Sequence, residues 1–285
     1  MSAMRVPSLL RIMIEDQVRA ALLEDLGRAG DITTDAIIPP ETTAQTALVA
    51  RKKGVVAGID TALLAFQLCD PAIKVEIAKP DGSVLAPGDT IATVAGPVRG
   101  ILTAERVALN FLCHLSGIAT STAAVVEAVK GTKARVVCTR KTMPGMRNLQ
   151  KYAVRVGGGF NHRFGLDDAV LIKDNHIAAA GGIKAAVERA RAAIGHLVKI
   201  ELEVDTLEQL EEALAVGADA VVLDNMDVEE LRRAVAMVKS RIVLEASGGI
   251  RPENAAAIAA TGVDLLSMGW LTHSVQVLDI GLDYR

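Results

Sequence analysis

The sequence has few aromatic residues, few cysteines and no long apolar run that is free of charge. Aromatic side chains make up 2% of the 285 residues, so a core drawn from 51% hydrophobic residues must consist of Ala, Val, Leu and Ile. That composition favours helices on a parallel sheet over an aromatic-rich sandwich. The cysteines Cys69, Cys113 and Cys138 show no CxxC spacing, which predicts neither a disulfide framework nor a zinc knuckle.

The charge balance and the hydropathy pattern exclude further classes of protein. Lys and Arg number 31 and Asp and Glu 34, so the net charge is −3, which argues against an electrostatically driven nucleic-acid binder. The sequence contains neither a signal-peptide segment nor a run of about 18 uncharged apolar residues. We therefore expect a soluble, cytoplasmic protein that binds neither nucleic acid nor membrane.

The first hundred or so residues predict a mixture of helix and antiparallel strands. Val18, Leu22 and Leu26 recur at helical spacing, and short β-like pieces separated by Gly, Pro and Asp follow. Residues 79–94 have the turn, strand, turn, strand order of a lipoyl- or biotinyl-carrier hairpin. Because Lys79 does not stand at the tip of such a hairpin, we predict a similar hairpin without the carrier function.

From about residue 134 onward one unit recurs, an apolar strand that ends in polar residues and is followed by a helical stretch. Tandem units of this kind imply a parallel sheet, in either a (β/α) barrel or a doubly wound fold. Glu203, Asp224, Glu245 and Ser267 are spaced by 21, 21 and 22 residues, and this regularity favours the barrel. The predicted strands are Ala134–Cys138, Ala169–Ile172, Val198–Val204, Ala220–Leu223, Arg241–Leu244 and Val263–Leu266.

The predicted strands end in polar residues, where ligands gather in parallel α/β folds. A helix N-cap explains one such end, but six in succession predict the rim of an active site. Residues 140–176 contain seven basic and three acidic residues, a local balance of +4 that suits a small ligand with several negative charges. The glycines of 247–249 and 267–269 predict backbone cradles for phosphate.

Two acidic residues close successive predicted strands. Glu201 and Glu203 are two apart and share one face of their strand, and Asp224 ends the next strand. Inward carboxylates beside a basic pocket hold Mg²⁺ or form ion pairs with the basic residues, and both interpretations stay open. Outside this region, Arg106, Asn110 and His114 share one helical face, which is either an ordinary amphipathic helix or an interface that abuts a ligand.

Three strings carry a resemblance to a known family: residues 139–147 (TRKTMPGMR), 151–163 (KYAVRVGGGFNHR) and 171–176 (LIKDNH). They closely resemble the quinolinate phosphoribosyltransferases, and shorter matches extend from about residue 10 to the end. The resemblance implies an α/β fold with a smaller N-terminal α+β domain at 1–115, against which 271–285 packs, and an incomplete (β/α) barrel at 116–270. The implied reaction joins quinolinate to phosphoribosyl pyrophosphate and yields nicotinate mononucleotide, pyrophosphate and CO₂, with Mg²⁺, in NAD biosynthesis.

The resemblance also implies residue roles and an assembly. Lys141, Lys173, Glu203 and Asp224 would be catalytic, and the two acids would face the ribose and bind the metal. The implied assembly is a homodimer, or a higher oligomer, in which Arg106 serves the neighbouring subunit's site. The implied substrate-binding residues are Arg106, Thr139, Arg140, Lys141, His162, Arg163, Lys173, Glu203, Asp224, Ser247, Gly248, Gly249, Met268, Gly269 and Trp270.

Three positions depart from the pattern of the resembled family. Ala246 replaces a frequent hydroxyl residue, Trp270 stands where a small residue is common, and Met146 replaces Leu with little change in volume. The rival functions are a molybdenum-associated relative, a nicotinate-specific phosphoribosyltransferase and a catalytically silent anion-binding barrel. The complete strings at 161–163 and 173–176 favour quinolinate over the first two, and retention of both Glu203 and Asp224 speaks against the third.

Overall fold

A computed structural model describes residues 6–285. A short 3₁₀ helix, Arg11–Met13, precedes the first α-helix. The next elements are α1 (Glu15–Leu26), α2 (Ile32–Ile37), β1 (Thr43–Ala50), β2 (Gly54–Val55), α3 (Ile59–Cys69), β3 (Lys74–Ile77), β4 (Val84–Leu85), β5 (Thr90–Pro97) and α4 (Val98–Ala128). The remaining elements are β6 (Arg135–Val137), α5 (Arg147–Val156), β7 (Val170–Ile172), α6 (Asp174–Ala180), α7 (Ile183–Ala193), β8 (Ile200–Val204), α8 (Leu207–Ala215), β9 (Ala220–Asp224), α9 (Val228–Val238), β10 (Val243–Ser247), α10 (Pro252–Ala259), β11 (Leu265–Ser267), α11 (Trp270–His273) and β12 (Ile280–Tyr284).

The chain divides into two compact units. The first contains the described residues up to 123 together with 142–158 and 271–285, and the second contains 124–141 and 159–270. In the first unit, β12, β1, β5 and β3 form an antiparallel sheet in that order. The fully buried Phe66 of α3 belongs to the core of this unit.

The predicted carrier-like hairpin at 79–94 is wrong. Strand β4 pairs with β2 in a separate two-stranded sheet, whereas β5 pairs with β1 and β3. The turn residues that punctuate this segment therefore separate strands of different sheets. Lys79 lies in an ion pair with Asp89, Nζ to Oδ2 at 3.4 Å.

Helix α4 is the longest element and an apolar one. It is long and apolar enough to cross a membrane, with an 18-residue window of mean hydropathy 1.4, but 56% of that window is buried inside the protein. Ile101, Leu112, Leu115 and Ile118 of this helix are almost completely buried. Core helices of soluble proteins have the same length and composition, so the helix is weak evidence for a membrane span.

The second unit contains six parallel strands, ordered β6-β11-β10-β9-β8-β7. From β7 to β11, strands that follow one another along the chain are neighbours, and the first strand of the sheet, β6, pairs with the last, β11. A doubly wound sheet reverses its order part-way, so this order is that of a barrel. Within residues 6–285 no pairing joins β6 to β7, and the barrel is therefore incomplete, as the resemblance implied.

Alternation along β8 separates an inner, polar face from an outer, apolar one. Leu202 and Val204 are fully buried, whereas Glu201 and Glu203 are partly exposed, which confirms that the two acids share a face. Helix α8 begins at a capping box of Thr206 and Gln209, and α9 begins at another. These caps start each helix directly after a strand, so the polar strand ends stay together at one edge.

Candidate active site

The structure places every predicted site residue except Arg106 in the second unit. Arg106 is exposed on the part of α4 that belongs to the first unit. The strand ends of the second unit carry Thr139 to Lys141 after β6, His162 and Arg163 between β6 and β7, Lys173 after β7, Glu203 in β8, Asp224 in β9, Ser247 to Gly249 from β10, and Met268 to Trp270 after β11.

Lys173 and Glu203 form an ion pair at this edge. The Lys173 ammonium contacts Oε2 of Glu203, and the two side chains are 44% and 18% exposed. Lys173 is also the N-cap of α6, where its backbone N–H donates to Nδ1 of His176 at 3.0 Å. The helix start therefore fixes the backbone of the lysine, while its side chain stays accessible to a ligand.

Arg140 and Arg163 lie close enough to influence each other. Burial, together with the positive charge of Arg140, lowers the pKa of the Arg163 guanidinium. Arg163 Nη1 donates to the Ala169 carbonyl oxygen at 3.1 Å, which ties the side chain to the segment before β7. Two guanidinium groups held near each other are arranged for an anion, because an anion relieves their mutual repulsion.

Asp224 is two residues nearer to the carboxyl edge than Glu203. Glu203 pairs in register with Val222, so Asp224 lies one inward-facing position beyond that level. Asn225 Nδ2 donates to Oδ2 of Asp224 at 2.8 Å. Two partly exposed carboxylates on neighbouring strands are oxygen donors of the kind that Mg²⁺ takes, so the donor set fits this ion.

The loop after β10 contacts the end of β9 closely. Gly248 has φ +93°, and a Cβ there would lie 2.1 Å from Oδ1 of Asn225. The Asn225 N–H also donates to the Ser247 carbonyl oxygen at 2.9 Å. Glycine is therefore required at 248 for both backbone conformation and space, and this supports the predicted cradle.

The structure accounts for the two unusual residues beside this loop. The Trp270 indole N–H donates to the Ile250 carbonyl oxygen at 2.9 Å and so links the segments that follow β10 and β11. Ala246 is buried on the outer face, opposite to Glu245 and Ser247. A hydroxyl at 246 would therefore point away from the strand-end site. Met268 is buried as well, and its N–H donates to the Val137 carbonyl oxygen.

His162 lies among acids that the site prediction left out. Its Nε2 is 2.8 Å from Oε2 of Glu201 and 3.6 Å from Oε2 of Glu245. Burial, followed by the negative charge of Glu201, raises the pKa of Glu245 to about 7. The signal in the sequence is the regular spacing from Glu203 through Asp224 to Glu245, which places Glu245 at a strand end beside the two predicted acids.

The predicted polar face of α4 lines a cavity of about 420 Å³ in the first unit. Asn110 and His114 line it, together with Met143 and Met146, whereas Arg106 is not in the lining. Gln150 Nε2 lies 2.9 Å from Nε2 of His114, and burial lowers the pKa of this histidine. This face of α4 therefore lines a cavity and is not an ordinary solvated helix surface.

Comparison with known families decides the family of this chain. The family model of the quinolinate phosphoribosyl transferase N-terminal domain matches residues 31–116, and the model of the C-terminal domain matches residues 118–283. The chain belongs to the quinolinate phosphoribosyltransferase family.

Individual relatives of this family match along nearly the whole chain. The nicotinate-nucleotide pyrophosphorylase [carboxylating] of Mycobacterium leprae is 50% identical over 273 residues, covering 94% of this chain and 96% of its own length. A probable enzyme of that name from Bacillus subtilis is 46% identical over 261 residues, covering 92% and 90%. The solved structure of the nicotinate-nucleotide pyrophosphorylase from Francisella tularensis superposes with a TM-score of 0.94 at 38% identity, covering 99% of both chains.

Proposed function

We infer that this chain catalyses the reaction of the quinolinate phosphoribosyltransferase family. It transfers the phosphoribosyl group of phosphoribosyl pyrophosphate to quinolinate and releases pyrophosphate and CO₂, leaving nicotinate mononucleotide for NAD biosynthesis. Family membership along nearly the whole chain supports this function. The observation that carries the site is the Lys173–Glu203 ion pair at the carboxyl edge of the parallel sheet.

We propose that basic residues of the strand-end site hold the two carboxylates of quinolinate and the phosphates of the second substrate. Arg140 and Arg163 are suited to bidentate contacts, and Lys141 and Lys173 act as point charges. His162 belongs to the same group of residues. Together with Thr139, the loops at 247–249 and 268–270 bind the phosphoribosyl group, the former through backbone N–H groups.

Glu203 and Asp224 act at the ribose in this proposal. The pyridine nitrogen forms a bond to the anomeric carbon as the bond from that carbon to pyrophosphate breaks, and positive charge develops on the sugar. Carboxylates aimed at that charge stabilise the transition state. Lys173 neutralises Glu203 until substrate binds. In the bound state, quinolinate and Glu203 share the ammonium group of Lys173.

Mg²⁺ is the cofactor in this proposal. Glu203 and Asp224 would hold it, and it would supply positive charge that offsets the charge of the departing pyrophosphate. No covalent nucleophile of the protein takes part.

Decarboxylation follows ribosylation in our proposal. The positive charge of the ribosylated pyridinium nitrogen stabilises the electron pair that stays on the adjacent ring carbon when its carboxylate departs as CO₂, and that carbon then takes up a proton. An unribosylated, decarboxylated product trapped on the protein would contradict this order.

The assembly and the location of the protein are part of the same proposal. We propose a cytoplasmic homodimer, or a higher oligomer of such dimers, in which Arg106 completes the neighbouring subunit's site. The exposed position of Arg106 on α4 leaves its guanidinium accessible to another subunit.

The decisive assay offers quinolinate or nicotinate, each with phosphoribosyl pyrophosphate and Mg²⁺, and follows CO₂ and pyrophosphate. We expect equal release of both products with quinolinate and little of either with nicotinate. Pyrophosphate release with nicotinate, without CO₂, would instead assign a nicotinate-specific activity. Release of neither product from quinolinate would contradict the proposed function.

A further inference from the structure

Three polar side chains meet on the inner face of the sheet, next to the level of Glu203. Glu201 projects from β8, Glu245 from β10, and His162 from the segment between β6 and β7. Their exposed fractions are 13%, 3% and 13%, so all three are largely removed from water. Burying a carboxyl group in a strand of Val, Leu and Ala costs free energy, and a role for that carboxyl would account for the cost.

The hydrogen bonds of His162 determine which ring nitrogen carries the proton. The backbone N–H of Arg163 donates to Nδ1 at 2.7 Å, so Nδ1 is an acceptor and has no proton. Nε2 therefore carries the proton and donates it to Glu201 at 2.8 Å. Rotating the ring by 180° would place carbon atoms at both contacts, so the surroundings select a single orientation.

The same assignment argues against a metal ion among these three residues. A metal bound at Nε2 needs the lone pair of that nitrogen, and the ring proton must then sit on Nδ1. Nδ1 instead accepts the Arg163 N–H. The group is therefore arranged to hold an imidazole, not an ion.

Glu245 is the second acid near the proton on Nε2 of His162. In the strand register it stands level with Val222, and therefore with Glu203, and one inward position below Ser247. Its Oε2 is buried, makes no hydrogen bond and is 3.6 Å from Nε2 of His162. The carboxyl thus reaches toward the ring from the level of Glu203, one inward position below Ser247.

We propose that Glu245 is a positioning residue which, with Glu201, fixes the imidazole of His162 and thereby the backbone from which Arg163 reaches quinolinate. The route is short, because Nδ1 of the ring holds the N–H of Arg163 itself. This inference rests on the proposed function, in which Arg163 binds a carboxylate of quinolinate. It assigns Glu245 an effect on that substrate and not on phosphoribosyl pyrophosphate.

The test compares Glu245→Met with Glu245→Gln and measures KM for each substrate separately. Methionine fills the buried space without an oxygen, whereas glutamine restores one near Nε2. We expect Glu245→Met to raise KM for quinolinate by about tenfold to about 100-fold, the cost of displacing a binding group by roughly 1 Å. KM for phosphoribosyl pyrophosphate should change by less than about twofold, and Glu245→Gln should recover most of the loss.

Matched variants separate a positioning role from a loss of stability. Glu211→Gln, at an exposed position of α8, is the control and should behave as the unmodified chain. Glu201→Met removes the 2.8 Å partner of the same nitrogen and should give the same selective rise, which keeps the test available if Glu245→Met does not fold. Thermal unfolding of each variant reports its folding.

Several outcomes would overturn the assignment of Glu245. They are an unchanged KM for quinolinate in folded Glu245→Met, an equal rise for both substrates, or no recovery in Glu245→Gln. A stoichiometric metal ion that the dialysed protein keeps and Glu245→Gln loses would overturn it too. If the unmodified chain itself fails to use quinolinate, the proposed function has failed; if only the variants lack selectivity, this inference alone has failed.

Discussion

At the scale of single residues, the Lys173–Glu203 ion pair is the contact on which the proposed chemistry most depends. We predict that Lys173→Ala lowers kcat/KM for quinolinate by at least about 100-fold. It removes a charge-assisted contact worth about 1.5–3 kcal/mol and also leaves Glu203 without its partner. The melting temperature should change little, because the Lys173 side chain is 44% exposed. Steady-state kinetics and thermal unfolding check both expectations.

Lys184→Ala, an exposed lysine of α7, is the matched control for this prediction. Near-normal turnover in purified, folded Lys173→Ala would count heavily against the site. Arg140→Ala is a second variant with the same expected loss, because Arg140 lies near Arg163 at the strand ends.

The buried Glu245 predicts a dependence of stability on pH. Its pKa is raised from an ordinary value of 4.5 to about 7, chiefly by burial, so the folded state keeps a proton that the unfolded state loses. This contribution to stability is complete below about pH 4.5 and is lost as the pH rises through about 7. Glu245→Gln has no such proton, so its melting temperature should fall less between about pH 5 and about pH 8.

Thermal unfolding across that pH range, with Glu211→Gln as the control, measures the difference between the two slopes. Parallel curves of melting temperature against pH for the unmodified chain and Glu245→Gln would contradict the raised pKa of Glu245. The groups that act on Glu245 are the negative charges of Glu201 and Glu203, the imidazole of His162 and the hydroxyl of Ser267. Their variants are therefore the ones in which the slope should shift.

At the scale of elements, periodicity predicted the strands of the second unit, and pairing determined their ends. The predicted Arg241–Leu244 is β10 at Val243–Ser247, because the strand extends along its pairing with β9 as far as Asp224. Helix α9 begins at Val228, since Asp227 caps its start. The predicted starts of β8, β10 and β11 lie two residues before the observed ones, whereas the predicted ends of β7 and β8 agree with the structure. Periodicity thus located the strands, and non-local pairing set their limits.

Some features of the site could not be predicted from local sequence. The predicted hairpin at 79–94 failed because turn residues do not say which strands pair. The ring of His162 contacts residues of β8 and β10, about 40 and 80 positions further along the chain, so no local spacing of residues predicts these contacts. The strand-end residues were predictable because parallel strands bring their ends together, whatever the sequence distance.

The loop after β10 carries a prediction at this scale. We predict that Gly248→Ala destabilises the protein by about 1–3 kcal/mol and raises KM for phosphoribosyl pyrophosphate. Gly248 has φ +93°, and the added Cβ would collide with the Asn225 amide, so the phosphate loop must move. Gly195→Ala, where a Cβ meets nothing within 4 Å and φ is ordinary, is the control. Unchanged KM and stability in Gly248→Ala would contradict the proposed cradle.

At the scale of the whole molecule, the sharing of the site between subunits is the proposal that reaches beyond one chain. Arg106 is the one implied substrate-binding residue outside the second unit, and it lies exposed on α4. If it serves the neighbouring subunit, Arg106→Ala and Lys173→Ala damage the same site of a mixed dimer. One site then carries both substitutions, and the other has an intact Arg106 from one chain and an intact Lys173 from the other.

We therefore predict that mixing the two inactive variants restores activity. Random exchange of equal amounts makes half of the dimers mixed, and each mixed dimer has one intact site, so about a quarter of the unmodified activity should return. Activity is measured before and after exchange, and differently tagged chains confirm that mixed dimers form. Mixing Arg140→Ala with Lys173→Ala is the control: both residues lie in the second unit, so every mixed site lacks a residue and stays inactive. If mixed dimers of Arg106→Ala and Lys173→Ala have no activity, the site is not shared between subunits, and Arg106 does not serve the neighbouring site.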